Sequence, residues 1–224
     1  EIELFLNNNN FIDNFIVRGN VKKLNSQIGK NLLIKNTSFE FFGDNSDILL
    51  KKINGELQGA KLEDGDLRLE ISNEININSN FLKNLKYKNL YKKNYLKIFK
   101  NFNYFDNLDK FDATLKNNLF ISLDKTFKVK NFKFDSTGNV SSAVFLFKKE
   151  LSYDVFDDKV KKISFIDTKV STNFTNKIKK INLDGKYFLN SSDQFNYNLD
   201  GDFNTDITKL NINVDIGKKI NLSQ

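Results

Sequence analysis

The chain has 224 residues and a formal net charge of +7, and it contains no His, Cys, Met, Trp or Pro. Without His and Cys there is no imidazole base, no Ser/His or Cys/His catalytic pair, no disulfide and no histidine or cysteine metal ligand, which excludes most hydrolase and metalloenzyme mechanisms. Arg occurs only as Arg18 and Arg68, and Arg is the preferred residue for binding nucleic acid. We therefore attribute the charge to AT-rich codons, which favour Lys and Asn, rather than to nucleic-acid binding.

Alternation of apolar and polar residues is the dominant pattern of the chain. It predicts strands around 14–24, 32–42 and 47–58, and it is clear over 67–77, where Leu and Ile alternate with polar residues. Every second side chain of a strand points to the same face, so these strands have one apolar and one solvated face. Glycine-containing segments between the apolar runs predict hairpin turns at Gly29-Lys30-Asn31, Asn54-Gly55, Asp64-Gly65 and Gly138-Asn139.

The segment 84–103 breaks the alternation. Its aromatic and aliphatic residues recur every three or four positions with lysines between them, which predicts an amphipathic helix with one basic face. Such a helix either lies on an anionic membrane surface or packs its aromatic face on the sheet and caps the end of a groove, and we favour packing. The residues expected to have this role are Tyr91, Tyr95, Phe99, Lys92, Lys93 and Lys97.

Further strands are predicted around 119–134 and 160–174. The stretch 143–147 is apolar on both faces, so that strand is expected to be bulged or covered on both sides. Phe and Lys alternate over 127–134, a pattern that also occurs in stacking platforms for single-stranded nucleic acid. We favour a strand whose Phe side chains point inward, and we expect no nucleic-acid partner.

The C-terminal part of the chain has the most regular alternation. The segment Asn182-Leu183-Asp184-Gly185 recurs as Asn198-Leu199-Asp200-Gly201, with a looser third copy at 213–217. Such a repeat is typical of a sheet that grows by adding similar strands. In both exact copies the Gly lies within the alternation, which is compatible with a bulge or bend as well as with a turn. The apolar positions are Phe195, Tyr197, Leu199, Phe203, Leu210, Ile212, Val214 and Ile216.

Acidic clusters are the remaining candidates for a metal site or for acid catalysis. The segment 63–66 has three acids, and Asp200, Asp202, Asn204 and Asp206 supply oxygens at alternate positions. Neither set has the spacing of an EF-hand loop, and the second lies on the solvated face of a strand. No acid pair stands out for glycoside hydrolysis. We therefore predict that the protein is not an enzyme and has no catalytic residue, metal site or cofactor.

Two sets of segments resemble the AsmA-like superfamily of bacterial envelope proteins, most of all its YhdP-like and TamB-like branches. The first set comprises 33–41, 48–59 and 62–69, and the second is the Asn-Leu-Asp-Gly repeat with its Asn-rich strands. The resemblance lies in the repeated order of strand, Gly turn and strand over most of the chain. It implies an inner-membrane helix outside this segment, followed by a long periplasmic β-sheet curled into a groove. In that family the concave apolar face is taken to carry phospholipid acyl chains between the inner and outer membranes.

We therefore expect an all-β, mainly antiparallel fold forming an extended, curved groove, with residues 1–224 as a single segment of a larger protein. The start at Glu1 and the lack of Met underlie the last expectation. The expected function is non-catalytic phospholipid transport for outer-membrane biogenesis, in the periplasm of a Gram-negative cell. Acyl chains and the rest of the polypeptide are the expected partners, with membrane attachment through other segments. The eight apolar positions from Phe195 to Ile216 are the lipid-groove candidates. The alternative is a structural or adhesive β-repeat segment of a surface or fibre protein, whose apolar face is closed by another sheet.

Overall fold

A computed structural model describes residues 1–28, 32–57, 60–88, 107–151, 159–190, 193–203 and 208–215. Twelve strands account for most of these residues, and they form one sheet in which the spatial order equals the chain order. The strands are β1 (Ile2–Leu6), β2 (Ile12–Ile28), β3 (Leu32–Gly43), β4 (Asp47–Leu57), β5 (Ala60–Ile71), β6 (Ile75–Lys88), β7 (Leu108–Leu123), β8 (Val129–Leu151), β9 (Val160–Thr175), β10 (Lys179–Leu189), β11 (Phe195–Phe203) and β12 (Thr208–Val214).

Every strand pair with a described register is antiparallel. Strands β1 and β12 lie at the two edges of the sheet, so the sheet is open. The prediction of an all-β, mainly antiparallel fold is confirmed. Short connections, such as those between β3 and β4 and between β5 and β6, reverse the chain beside the strand it has just left, which is the least costly closure for an antiparallel sheet.

The chain divides into two compact units. The first comprises Glu1–Asn84, Leu115–Ser136 and Asn173–Ile178, and the second comprises Leu85–Thr114, Thr137–Thr172 and Lys179–Gln224. Among the described residues, all the buried apolar side chains belong to the second unit: Leu108, Ala113, Val140, Ala143, Val160, Tyr187 and Tyr197. The described apolar side chains of the first unit are partly buried or exposed.

A β-bulge interrupts each of β2, β3, β4 and β5 near its middle. At each bulge one non-glycine residue adopts the left-handed conformation, with φ between 48° and 56°, and the strand register slips there. Bulges bend a strand and increase its local twist, so bulges near the middle of neighbouring strands bend those strands together. The four residues are Lys23, Asn36, Lys52 and Asp64.

Polar side chains two residues after each bulge hold the bulges in reciprocal pairs. Each accepts a hydrogen bond from the backbone N–H of the bulged residue in the neighbouring strand, so no bulge leaves its donor unsatisfied. The four bonds are Lys23 N–H to Ser38 Oγ (3.2 Å), Asn36 N–H to Asn25 Oδ1 (3.0 Å), Lys52 N–H to Asp66 Oδ1 (3.4 Å) and Asp64 N–H to Asn54 Oδ1 (3.1 Å).

Three predicted turns are wrong because their Asn, Asp and Gly residues lie within strands. Asn54-Gly55 lies in β4, Asp64-Gly65 in β5 and Gly138-Asn139 in β8. The first two supply bulge residues and their hydrogen-bond acceptors, and Gly55 admits a close neighbour: a Cβ there would lie 2.3 Å from Thr37 Oγ1. The predicted turn at Gly29-Lys30-Asn31 lies outside the described residues.

Two of the observed turns are instead held by an aspartate at their first position. Asp124 Oδ1 accepts hydrogen bonds from the N–H groups of Thr126 (2.8 Å) and Lys128 (3.1 Å), and Asp44 does the same for Ser46 and Asp47. These Asx-type turns need no glycine. The first of them divides the predicted strand 119–134, which is therefore wrong as one element.

The predicted helix over 84–103 is wrong at its start. Residues up to Lys88 belong to β6, because Leu85 and Tyr87 continue the two-residue alternation of Ile75, Ile77 and the apolar positions after them. The helical and strand periods overlap over this short stretch, so spacing alone did not separate them. The rest of the predicted helix, including Tyr91, Lys92, Lys93, Tyr95, Lys97 and Phe99, lies outside the described residues.

Candidate lipid-facing surface

The last three strands bring the sequence-predicted apolar residues onto one face of the sheet. Tyr197 of β11 is paired with Val214 of β12, and Leu199 is paired with Ile212. The two copies of the Asn-Leu-Asp-Gly repeat also pair with each other, with Leu183 opposite Leu199. Paired residues share a face. We call this set the C-terminal apolar face: Ile181, Leu183, Tyr187, Phe195, Tyr197, Leu199, Phe203, Leu210, Ile212 and Val214. The eighth predicted residue, Ile216, lies outside the described residues.

Exposure of the C-terminal apolar face increases towards the edge strand. Tyr197 in β11 is 9% exposed, whereas Ile212 and Leu210 in β12 are 53% and 48% exposed. The opposite face of these strands has Asn198, Asp200 and Asn211 and is solvated. Large apolar side chains of β12 therefore face water in the described part of the structure.

Aromatic packing holds the inner part of this face. Tyr197 makes edge contacts with Phe165 and Tyr187, whose ring centroids lie 5.1 and 6.3 Å away. Its hydroxyl lies 2.8 Å from Thr168 Oγ1, and burial raises the pKa of the Tyr197 phenol. The Tyr187 hydroxyl donates to the backbone carbonyl of Asp215 at 2.9 Å. Tyr197 is thus a packing residue, while Leu199 and the β12 residues form the accessible surface.

A second apolar surface, which the sequence analysis did not assign as a site, covers one face of β2–β6. The registers place apolar residues opposite one another from strand to strand, for example Phe41 with Leu50, Leu50 with Leu67, and Leu69 with Ile77. We call it the N-terminal apolar face. Its members include Val17, Val21, Phe39, Phe41, Ile48, Leu50, Ile53, Leu62, Leu67, Leu69, Ile71, Ile75, Ile77 and Phe81.

The other face of β2–β6 is mainly polar and charged, although Phe42 and Leu49 also lie on it, opposite each other. Arg18 pairs with Glu1 at 2.7 Å, Lys52 with Glu40 at 2.8 Å and Arg68 with Asp47 at 2.7 Å. All of these pairs are exposed or partly exposed, so solvent screens them and each contributes little to stability. These ion pairs all lie on the face opposite the N-terminal apolar face, which identifies it as the solvated face of these strands.

The described acidic residues make hydrogen bonds and ion pairs with neighbouring side chains and backbone groups. Within the described ranges no three acids are placed to hold a metal ion. In the 63–66 cluster, Asp66 accepts from the Lys52 backbone N–H while Glu63 bonds Lys61 and Asn84. Where a described carboxyl pKa departs clearly from its ordinary value it is lowered, as for Glu74 beside Lys130.

Comparison with protein-family models, curated proteins and solved structures finds no match for this chain. The resemblance to AsmA-like proteins therefore stays a prediction. No helix in the part of the chain that the structure describes is long and apolar enough to cross a bilayer.

Proposed function

We propose that this segment carries phospholipid acyl chains on the apolar faces of its sheet, without catalysis, as part of a bridge between the inner and outer membranes. In this proposal the segment works in the periplasm of a Gram-negative envelope and is anchored to the inner membrane by other parts of its polypeptide. The observation that carries the proposal is the solvent contact of apolar side chains aligned in register across neighbouring strands.

The alignment across strands matters because an acyl chain is long and has no polar groups along its methylenes. A row of apolar side chains that continues from β10 through β11 to β12, as Leu183, Leu199 and Ile212 do, offers contact along several methylene groups. Each methylene removed from water contributes about 0.8 kcal/mol. A lipid covering this row would remove water from Ile212, which is 53% exposed. Exposed contiguous apolar surface of this kind commonly marks a binding site.

The sequence has no His or Cys and so offers no imidazole or thiol for catalysis, which is why we propose a carrier rather than an enzyme. The competing account is a structural or adhesive β-repeat in which another sheet covers the same face. The two accounts differ in what touches Leu199 and Ile212 in the cell.

Site-specific photocrosslinking distinguishes them. A photoreactive amino acid at Leu199 or Ile212 should capture phospholipid in cells, because these side chains are opposite each other on the C-terminal apolar face. The same probe at Asn198 or Asn211 should not, because these neighbouring positions are on the solvated face. Mass spectrometry of the crosslinked product identifies the captured species.

The matched positions make each outcome informative. Lipid captured from both faces equally would indicate nonspecific labelling and would contradict the proposal. Protein captured at Leu199 and Ile212, with no lipid, would instead support the structural β-repeat.

A further inference from the structure

One charged residue interrupts the N-terminal apolar face. Lys83 of β6 is paired with Leu62 of β5, and it lies two residues beyond Phe81 on the same side of its strand. At every other described position that the registers of β2–β6 place on this face, the side chain is apolar, Gly, Ser or Thr. Alternation in β6 runs without a bulge from Ile75 to Lys83, so the placement of Lys83 does not depend on an irregularity.

Lys83 also differs in its partners from Lys52 and Arg68 of the polar face. Lys52 and Arg68 each pair with a carboxylate at 2.8 and 2.7 Å, whereas no ion pair involves Lys83 within the described ranges. The nearest acid in the paired strand, Glu63, bonds Lys61 and Asn84 on the opposite face.

Burial lowers the pKa of the Lys83 ammonium, and no neighbouring charge opposes that effect. A half-buried cation on an apolar surface loses part of its hydration, and a counter-ion is the ordinary compensation. The chain supplies none among its described residues. A ligand that combines an anion with an apolar tail would satisfy the cation and cover Phe81 and Leu62 together.

We propose that Lys83 binds the anionic headgroup of a phospholipid whose acyl chain lies along the N-terminal apolar face. The inference rests on the proposed lipid-carrying function and adds the class of lipid and the position of its headgroup. Lysine binds phosphate as a compact charge with three donors, and the contact is charge-assisted and partly removed from water. The site therefore discriminates between net-anionic and zwitterionic phospholipids.

The test uses short-chain phosphatidylglycerol and phosphatidylcholine, dispersed below their critical micelle concentrations, with the whole chain in a calorimeter. Lys83→Gln should bind phosphatidylglycerol about tenfold more weakly than the unaltered protein, equivalent to about 1.4 kcal/mol. Its affinity for phosphatidylcholine should change by less than about twofold. Lys83→Arg should retain the preference, because it retains the charge. Lys51→Gln, which removes a cation from the polar face, should leave both affinities unchanged.

The results separate this inference from the function on which it rests. If the unaltered protein binds neither lipid, the proposed function fails. If it binds both lipids equally and Lys83→Gln changes nothing, the lipid surface stands and the role of Lys83 is overturned. Millimolar inorganic phosphate should not displace phosphatidylglycerol; if it does so completely, the site recognises free phosphate rather than lipid.

Discussion

Replacing Gly185 with alanine should destabilise the protein by forcing β9 and β10 apart. Gly185 is paired with Tyr197 of β11, and on its other side it lies against Thr168 of β9. A Cβ at this position would lie 2.5 Å from Thr168 Oγ1 and 2.7 Å from its Cα. The hydroxyl can rotate away, but the backbone atom cannot. The strands must therefore separate locally.

The magnitude follows from two contributions. Inserting a methyl group into a site without room typically costs about 1–3 kcal/mol. Separation also breaks the 2.8 Å hydrogen bond between the Thr168 and Tyr197 hydroxyls, and a buried polar group left without its partner costs about 1–3 kcal/mol. We expect a total loss of roughly 2–6 kcal/mol. For a chain of 224 residues, that lowers the unfolding midpoint by roughly 4–24 °C.

Thermal unfolding followed by circular dichroism measures this loss. Two further variants separate the contribution of the hydrogen bond from that of the added methyl group. Tyr197→Phe removes the hydrogen bond without adding volume and should cost only about 1 kcal/mol, because Thr168 Oγ1 keeps the Ile166 carbonyl at 3.3 Å. Gly43→Ala is the matched control: its nearest neighbours would lie 3.5 Å from the new Cβ, so stability should change by less than about 1 kcal/mol. Equal effects from Gly185→Ala and Gly43→Ala would refute the reasoning.

Two further predictions concern a bulge and an ion pair. Lys23 has a φ of 56°, which strains a residue with a side chain, so Lys23→Gly should raise the free energy of unfolding by up to about 1 kcal/mol. Lys22→Gly, next to it, should lower the free energy of unfolding. Urea unfolding measures both changes, and the same sign for both variants would count against this prediction. The Lys130 ammonium and the Ser122 hydroxyl lower the pKa of Glu74, so its stabilising effect is present above the ordinary glutamate pKa of about 4.3 and is lost as the pH falls through the folded-state value. Glu74→Gln should therefore be less stable than the unaltered protein at pH 7 and nearly equal to it at about pH 2; a difference that persists at low pH would show that packing, not charge, is responsible.

The bulges explain why the N-terminal apolar face was not visible in the sequence. In β4 the apolar face uses the even positions Ile48 and Leu50 before the bulge and the odd positions Ile53 and Leu57 after it. Each bulge adds one residue and reverses the parity of the alternation. A search for an unbroken two-residue period therefore stops at the bulge, although the face itself continues across it.

The C-terminal face was predictable because no bulge interrupts β11 or its pairing with β12. The alternation of Phe195 to Val214 in the sequence alone determined that these residues share one side of an antiparallel sheet, since the pleat has a period of two. The same period determined the fold class, and the lack of His and Cys excluded mechanisms that need an imidazole or a thiol from this sequence.

Only the tertiary structure decided which residues face each other and which remain accessible. The hydrogen bond between Tyr197 and Thr168 reaches across Gly185 of the intervening strand, so it depends on the registers of three strands at once. The placement of Lys83 among apolar neighbours depends on the register of β5 against β6, because a slip of one residue would move it to the polar face. Register is set by many cooperating pairs and bulges along the whole sheet, and no single segment of the chain contains that information.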